Sequence, residues 1–398
     1  MRLALFLSGI VVSNVLIASE YTSLLSTYNQ EQLRIERQKN ELSSDNLRND
    51  WLNPITGAWS WQKIDGQNGI GDKDTGTFSI SIDQPIFRSG GIYFGIRYAD
   101  ANREFLNLTT QLSEQNQIKQ VMNNVLRIRR LDLQIERLGY QIENAKIDII
   151  RKREQYESGF ADSSDLDQAI LNKSSLEHTL LDLQSSKITL LKEFESISNT
   201  DISTLQLPTF SMMDEQKYLD QSLALQQQQS ALTKTQWLQK ATISNSLLNL
   251  SLNAAYYSKR DDLASSTVND DYKTYGIKFS LPLIDINRRR TIELARLETL
   301  LKGSEVEELK VSEKKLYEST YASVTLLNKK RDLSANDYEL YTSLLHSTQE
   351  LAAAGEKTKF DVDTLKNSRE TMRLDQALYA LDVQLKLLDL YAKMHGEI

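Results

Sequence analysis

Two stretches decide the fold: Phe78-Ser-Ile-Ser-Ile-Asp-Gln-Pro85-Ile-Phe87 and Tyr275-Gly-Ile-Lys-Phe-Ser-Leu-Pro282-Leu-Ile284. In each, apolar residues alternate with polar ones, the period of a strand with one apolar face, and the run closes on a proline followed by two apolar residues. The prolines stand 282 − 85 = 197 residues apart. A second pair of stretches repeats the spacing. Gly159-Phe-Ala-Asp-Ser-Ser-Asp165-Leu166 parallels Gly355-Glu-Lys-Thr-Lys-Phe-Asp361-Val362, and 355 − 159 = 196. Two matches at nearly one offset mark the chain as an internal duplicate.

Outward from the first strand, 51–63 also alternates around Trp59 and Trp61, and 65–75 between them is rich in Gly, Asp and Asn, so 51–87 reads as a β-hairpin. After Gly90-Gly91 the period changes. Leu131, Ile135, Leu138, Ile142, Ala145 and Ile149 follow coiled-coil spacing, and no proline interrupts 92–156. Those 65 residues predict a helix of roughly 100 Å. Gly159 stops it, Ser163 or Ser164 is placed to cap the next helix, and that helix returns to about 197. The segment 198–208 breaks the pattern. The second half repeats the order: a helix over 214–247, a hairpin over 249–284 with a polar loop at 259–271, a long helix over 287–351, and a returning helix carrying Leu374, Leu378, Leu381, Leu385 and Leu388. The expected organisation is a first repeat, 20–208, with β-hairpin 51–87 and helical hairpin 92–197, and a second, 209–398, with β-hairpin 249–284 and helical hairpin 287–395. The fold class is α+β, mainly α.

Composition agrees. Among 398 residues there are only 4 Pro and 15 Gly, few for such a length, as long helices require. The net charge of -7 argues against a nucleic-acid partner, which needs a basic face. With no cysteine there are no disulfides, thiolate metal sites or thiol nucleophiles. His178, His346 and His395 are scattered, no phosphate loop sits between a strand and a helix, and no metal or cofactor site is expected; the chain does not read as an enzyme. Residues 1–19, with Arg2 ahead of an apolar run and small Ala18 and Ser19 at its end, read as a cleaved export signal.

An exported chain with no further spanning helix is soluble or part of a β-barrel. Four strands cannot close a membrane barrel, whose smallest single-chain forms use about eight. Membrane strands here would have to be shared: two chains give a filled barrel of eight, three a barrel of twelve with a lumen.

The duplicated motifs resemble the TolC-like outer-membrane efflux proteins. Gln84-Pro85-Ile86-Phe87 and Leu281-Pro282-Leu283-Ile284 carry the first family motif; Gly159 with Asp165-Leu166 and Gly355 with Asp361-Val362 carry the second. The resemblance implies a homotrimer with a shared 12-stranded barrel in the outer membrane of a Gram-negative bacterium and a trimeric α-barrel of coiled-coil hairpins in the periplasm. It implies a passive duct of a tripartite efflux or type I secretion system, partnered by outer-membrane lipid, a periplasmic adaptor and an inner-membrane transporter. The hairpin turns, with Gly159, Asp165 and Gly355, would contact the adaptor. Acidic residues after the second turn would line a periplasmic aperture. Asp361 stands at the first family position, but Thr364 occupies the second, Asp363 is one residue out of register, and Lys357 replaces a gating arginine. Asp165 and Asp361 also open helices, where carboxylates are favoured without any gating role. The competing architectures are a periplasmic adaptor, which needs one hairpin between β domains, and a soluble coiled-coil scaffold, which needs no alternating strands.

Overall fold

A computed structural model describes residues 22–64, 73–263 and 266–394. The proposed export signal and the centre of the first hairpin loop lie outside these residues, as does His395. In chain order the elements are α1 (Thr27–Asn49), β1 (Thr56–Ile64), β2 (Lys73–Phe87), α2 (Gly91–Glu157), α3 (Ser163–Ile197), α4 (Glu215–Gln221), α5 (Leu223–Asn245), β3 (Asn249–Leu263), β4 (Ser266–Ser280), α6 (Arg288–Ala353) and α7 (Lys359–Tyr391). The long helices α2 and α6 have 67 and 66 residues, within a turn of the expected spans.

Three expectations are corrected. The stretch 259–271 is not a loop: β3 continues to Leu263 and β4 begins at Ser266. Lys259, Arg260 and Asp261 of β3 and Asn269, Asp270 and Asp271 of β4 put polar groups on both faces of the sheet, so the alternation that reveals a strand is missing. The helix expected over 214–247 is broken at Ser222, where Leu223 N–H donates to the Lys393 carbonyl at 2.7 Å. Neither Ser163 nor Ser164 is the cap of α3; Asp162 occupies that position.

The chain forms two compact units, each drawing on both halves of the sequence. One takes in residues up to Arg34, Gln111–Ala224 and those from Lys310 onward; the other takes in Ile35–Thr110 and Leu225–Leu309.

In the first unit, the coiled-coil spacing of α2 has its physical outcome: Leu138, Ile142 and Ala145 are buried, as are Leu374, Leu378 and Leu388 of α7. A buried core gathers Val121, Met122 and Val125 of α2 with Leu387 and Leu388 of α7 and Leu25. The irregular segment 198–214 packs here too. Leu205 and Phe210 are buried, and the Gln384 amide brackets Phe210 by accepting from its N–H at 2.7 Å and donating to its carbonyl at 3.1 Å. A buried carboxylate, Glu313, accepts from the Tyr218 hydroxyl and from Lys393 Nζ at 2.7 Å, the paired state that burial of a charge demands.

The second unit carries a four-stranded antiparallel sheet in the order β1-β2-β3-β4. Its two faces differ. Trp59 and Trp61 of β1, Phe78, Ile80 and Ile82 of β2, Leu252, Ala254 and Tyr256 of β3, and Tyr275, Ile277 and Phe279 of β4 lie on one face by their pairing. The other face presents Ser60 and Gln62, Thr77, Ser79 and Ser81, Asn253 and Lys259, and Thr274 and Lys278. The apolar band is also staggered. Trp59 lies level with Phe78, Ser258 and Asp271, yet the apolar triplet of β4 is centred on Ile277, so the band moves 277 − 271 = 6 residues over three strand steps. A steady stagger in one direction is the mark of strands tilted as in a barrel. Pro85, which has no N–H to give the ladder, coincides with a register shift between Pro85 and Phe87. At the end of the sheet, Ser89 Oγ donates to the Leu248 carbonyl at 2.7 Å.

Candidate functional site

Both helical hairpins turn in the same way. Phe160 N–H donates to the Gln155 carbonyl at 2.8 Å and Gly159 N–H to Tyr156 at 3.0 Å; Glu356 N–H donates to Leu351 at 2.9 Å and Gly355 N–H to Ala352 at 3.1 Å. Each pair of bonds is a Schellman closure, satisfying the last carbonyls of a helix. Each needs a left-handed residue at its centre, with φ of 75° at Gly159 and 81° at Gly355. A Cβ at either glycine would meet nothing within 4 Å, so glycine is present for its backbone freedom and not for space.

The decoration differs. In the usual closure the residue after the glycine is apolar and packs back on its helix. Phe160 is instead 88% exposed, and Glu356 takes its place in the second turn. The helices that follow also start differently. At the second turn Thr358 Oγ1 accepts from Asp361 N–H at 3.3 Å while Asp361 Oδ2 accepts from Thr358 N–H at 2.9 Å, a complete capping box. At the first, Asp162 and Asp165 occupy the same two positions, and the Asp162 side chain makes no cap bond. Two like charges so close repel each other, which disfavours the reciprocal pair.

Asp361 has a second partner. Its Oδ1 accepts from Arg151 Nη2 of α2 at 2.6 Å. The Thr358 N–H, then the Thr358 hydroxyl, then Arg151 and Lys357 hold its carboxyl below the ordinary carboxylate range. Arg151 lies eight residues before Gly159, and eight before Gly355 stands Ser347, so α6 offers Asp165 no arginine at the equivalent position.

The Arg151–Asp361 pair ends a polar seam between α2 and α7. Moving seven residues at a time along each helix, Asn144 Nδ2 donates to Ser368 Oγ at 3.4 Å, Arg137 Nε lies 2.9 Å from Asp375, and Arg130 Nε donates to Asp382 at 2.6 Å. Asn367 Nδ2 donates to Asn144 Oδ1 at 2.9 Å, completing the neutral rung. Seven residues is two helical turns, so one face of each antiparallel helix returns at every rung. Burial pushes the Asp375 carboxyl up against the lowering effect of Arg137.

No family model matches the sequence, and no curated protein does. Solved structures match nearly all of it. The CmeC outer membrane channel of Campylobacter jejuni matches with a TM-score of 0.76 at 13% identity, over 97% of this chain and 86% of that one. The outer membrane protein VceC of Vibrio cholerae gives 0.73 at 13% identity, over 96% of each chain. CusC, whose structures concern folding and transmembrane channel formation, gives 0.73 at 13%, over 98% and 94%. The chain has the TolC-like outer-membrane channel fold.

Within this fold the sequence-predicted residues fall into two groups. Gly159 and Gly355 form the turns, and Asp361 is brought to Arg151. The Thr364 hydroxyl donates to the Phe360 carbonyl at 2.7 Å, and its own carbonyl faces Asn144 Nδ2 at 3.4 Å, so it belongs to the seam. Lys357 is exposed and contributes to Asp361 only through space, and Asp363 is half-buried just past the first turn of α7. Asp165 is exposed on α3. Sequence reasoning missed Arg151 and the whole seam. The available signal was the seven-residue spacing of Arg130, Arg137 and Arg151 against Asp361, Asp375 and Asp382. Among the described residues no three His, Asp or Glu side chains cluster as metal ligands would, and no helix is long and apolar enough to cross a membrane.

Proposed function

We propose that the chain is one subunit of a homotrimeric outer-membrane duct, a passive conduit of a tripartite efflux or type I secretion system. The observation that carries this is the sheet: four strands, one apolar face, one polar face, a barrel-like stagger and two open edges. Apolar side chains meet lipid and polar ones line a lumen only if further strands close the sheet, because an open edge is not tolerated in hydrocarbon. Leu326, Leu333 and Leu340 support the same reading. They recur every seven residues on α6 and are 57–64% exposed, an apolar stripe that a second copy would cover. On this reading the repeats 20–208 and 209–398 each supply a membrane hairpin and a periplasmic helical hairpin.

The aperture lies at the second turn, where Asp361, Lys357, Asp363 and Thr364 follow Gly355, and Arg151–Asp361 is the clasp that holds α7 to α2 there. The turns at Gly159 with Asp165, and at Gly355, meet the periplasmic adaptor, which links the duct to an inner-membrane transporter. The duct does no chemistry. The deciding experiment is fractionation of cells expressing the chain, followed by sizing in mild detergent. The protein is expected in the outer-membrane fraction as a trimer; a detergent-free soluble monomer in the periplasm overturns the reading.

A further inference from the structure

The open edges of the sheet contain enough information to specify how the second copy joins. We infer that β4 of one chain pairs antiparallel with β1 of the next in a single register that sets Trp59 opposite Phe279 and Trp61 opposite Ile277. This deepens the duct reading and rests on it.

Three observations select that register. The first is the repeat. Ile80 and Ile277 each stand five residues before their proline, Pro85 and Pro282. Gly57 pairs with Ile80 and Leu252 pairs with Ile277, so Gly57 and Leu252 are equivalent. Leu252 also pairs with Gln84 across the β2–β3 junction, and the equivalent of Gln84 is Leu281. If the junction between chains copies the junction within the chain, Gly57 of the second copy stands opposite Leu281. Antiparallel stepping then gives Trp59 with Phe279, Ser60 with Lys278 and Trp61 with Ile277.

The second observation is the stagger. The apolar band advances two residues per strand from β1 to β4. One more step from Ile277 reaches Phe279, the residue that the repeat sets opposite Trp59. The third is parity. Residues directly opposite in a ladder share a face, so the odd-numbered apolar residues of β1 must meet the odd-numbered apolar residues of β4. A slip by one residue would turn both tryptophans to the polar side. A slip by two keeps the faces but breaks the stagger. In the inferred register, two of the most exposed rings of the sheet, Trp59 at 72% and Phe279 at 71%, come together as a cross-strand aromatic pair.

The natural chain has no cysteine, so engineered pairs report cleanly. Directly opposite residues have Cα atoms roughly 4.5–5.5 Å apart, within disulfide reach, whereas diagonal neighbours are about 7–8 Å apart. Ser60→Cys with Lys278→Cys, oxidised in outer membranes, is expected to shift the monomer band to two and three times its mass. Ser60→Cys with Gly276→Cys, and Ser60→Cys with Ser280→Cys, test the two-residue slips and are expected to stay monomeric on a denaturing gel. Each sample is also sized in mild detergent. A membrane-bound trimer that cross-links through a slip pair, or through none of the three, overturns this register and leaves the duct standing; a soluble monomer overturns both.

Discussion

The two helical turns share a backbone and an aspartate six residues after the glycine, and differ in most of what else is attached. At both, a Schellman closure is centred on a left-handed glycine, and the N-cap of the next helix stands three residues after it. The first turn then exposes Phe160 and sets Asp162 beside Asp165 without a cap bond. The second carries Glu356 and Lys357, a complete capping box, and a clasp to Arg151. What the two turns share is what the chain needs in order to turn. The charges differ, and the second turn is tied to a neighbouring helix through Arg151.

The shared part is broken most strongly through the glycines. Gly159→Ala and Gly355→Ala each force a Cβ into the left-handed region, at a cost of roughly 1–2 kcal/mol. The added methyl meets no neighbour at either site, so the two costs are expected to be equal within error. Amide hydrogen exchange across each turn measures them. A clearly larger loss at one turn would mean that its glycine has a role beyond backbone sign.

The unshared part is tested by Asp361→Ala against Asp165→Ala. Loss of a helix-start carboxylate with its reciprocal bond costs about 1 kcal/mol, to which a partly exposed ion pair adds a fraction. Exchange at the start of α7 is therefore expected to rise roughly tenfold, with single-channel conductance rising as the clasp to Arg151 is lost. Asp165→Ala is expected to change exchange at its own turn by less than about 0.5 kcal/mol equivalent, as at an ordinary surface site. Equal effects at both turns would reduce Asp361 to a helix-start charge with no clasp.

The unequal legibility of these features has a physical basis. Gly159 and Gly355 are readable because a glycine ending an uninterrupted helical pattern has few other uses, and the apolar faces of β2 and β4 are readable because Phe78, Ile80, Ile277 and Phe279 alternate with polar residues. Arg151 was not legible from local pattern, since its partner lies 210 positions away and each residue alone is an ordinary surface charge. Only the seven-residue step shared by α2 and α7 links them. The strands across 259–271 escaped for the opposite reason. Lys259, Arg260, Asp261, Asn269, Asp270 and Asp271 put polar groups on both faces, so their pairing is set by continuation of the ladder from Tyr256, Tyr257, Tyr272 and Lys273.

Conversion of one turn into the other has a smaller effect. Thr358→Ala removes one half of the capping box and is expected to cost about 0.5–1 kcal/mol, with Thr358→Ser restoring it. Asp162→Thr gives the first turn the same cap residue opposite Asp165 and removes a like charge. It is expected to stabilise the start of α3 by a similar amount, read as slower exchange over residues 163–166. No gain there would show that Asp165 is held away from the cap by something other than its acidic neighbour.

The smallest expected effect is in the acid response of the seam, where two rungs have opposite signs. The Asp361 carboxyl is held below its ordinary value of 3.8, chiefly by the Thr358 N–H, so its stabilisation is fully present above that value and is lost as pH falls through the lowered one. The Asp375 carboxyl is raised by burial despite Arg137, so its ionised form opposes packing at neutral pH. That opposition is relieved as pH falls through the raised value towards 3.8. On acidification the middle of the seam is therefore expected to tighten before the turn loosens. Exchange measured separately over residues 358–362 and 373–377 should show protection rising first at the second segment and falling later at the first. Asp375→Asn removes the early rise and Asp361→Asn the late fall. If both segments lose protection together, the seam responds as one unit and the turn is not a separately held clasp.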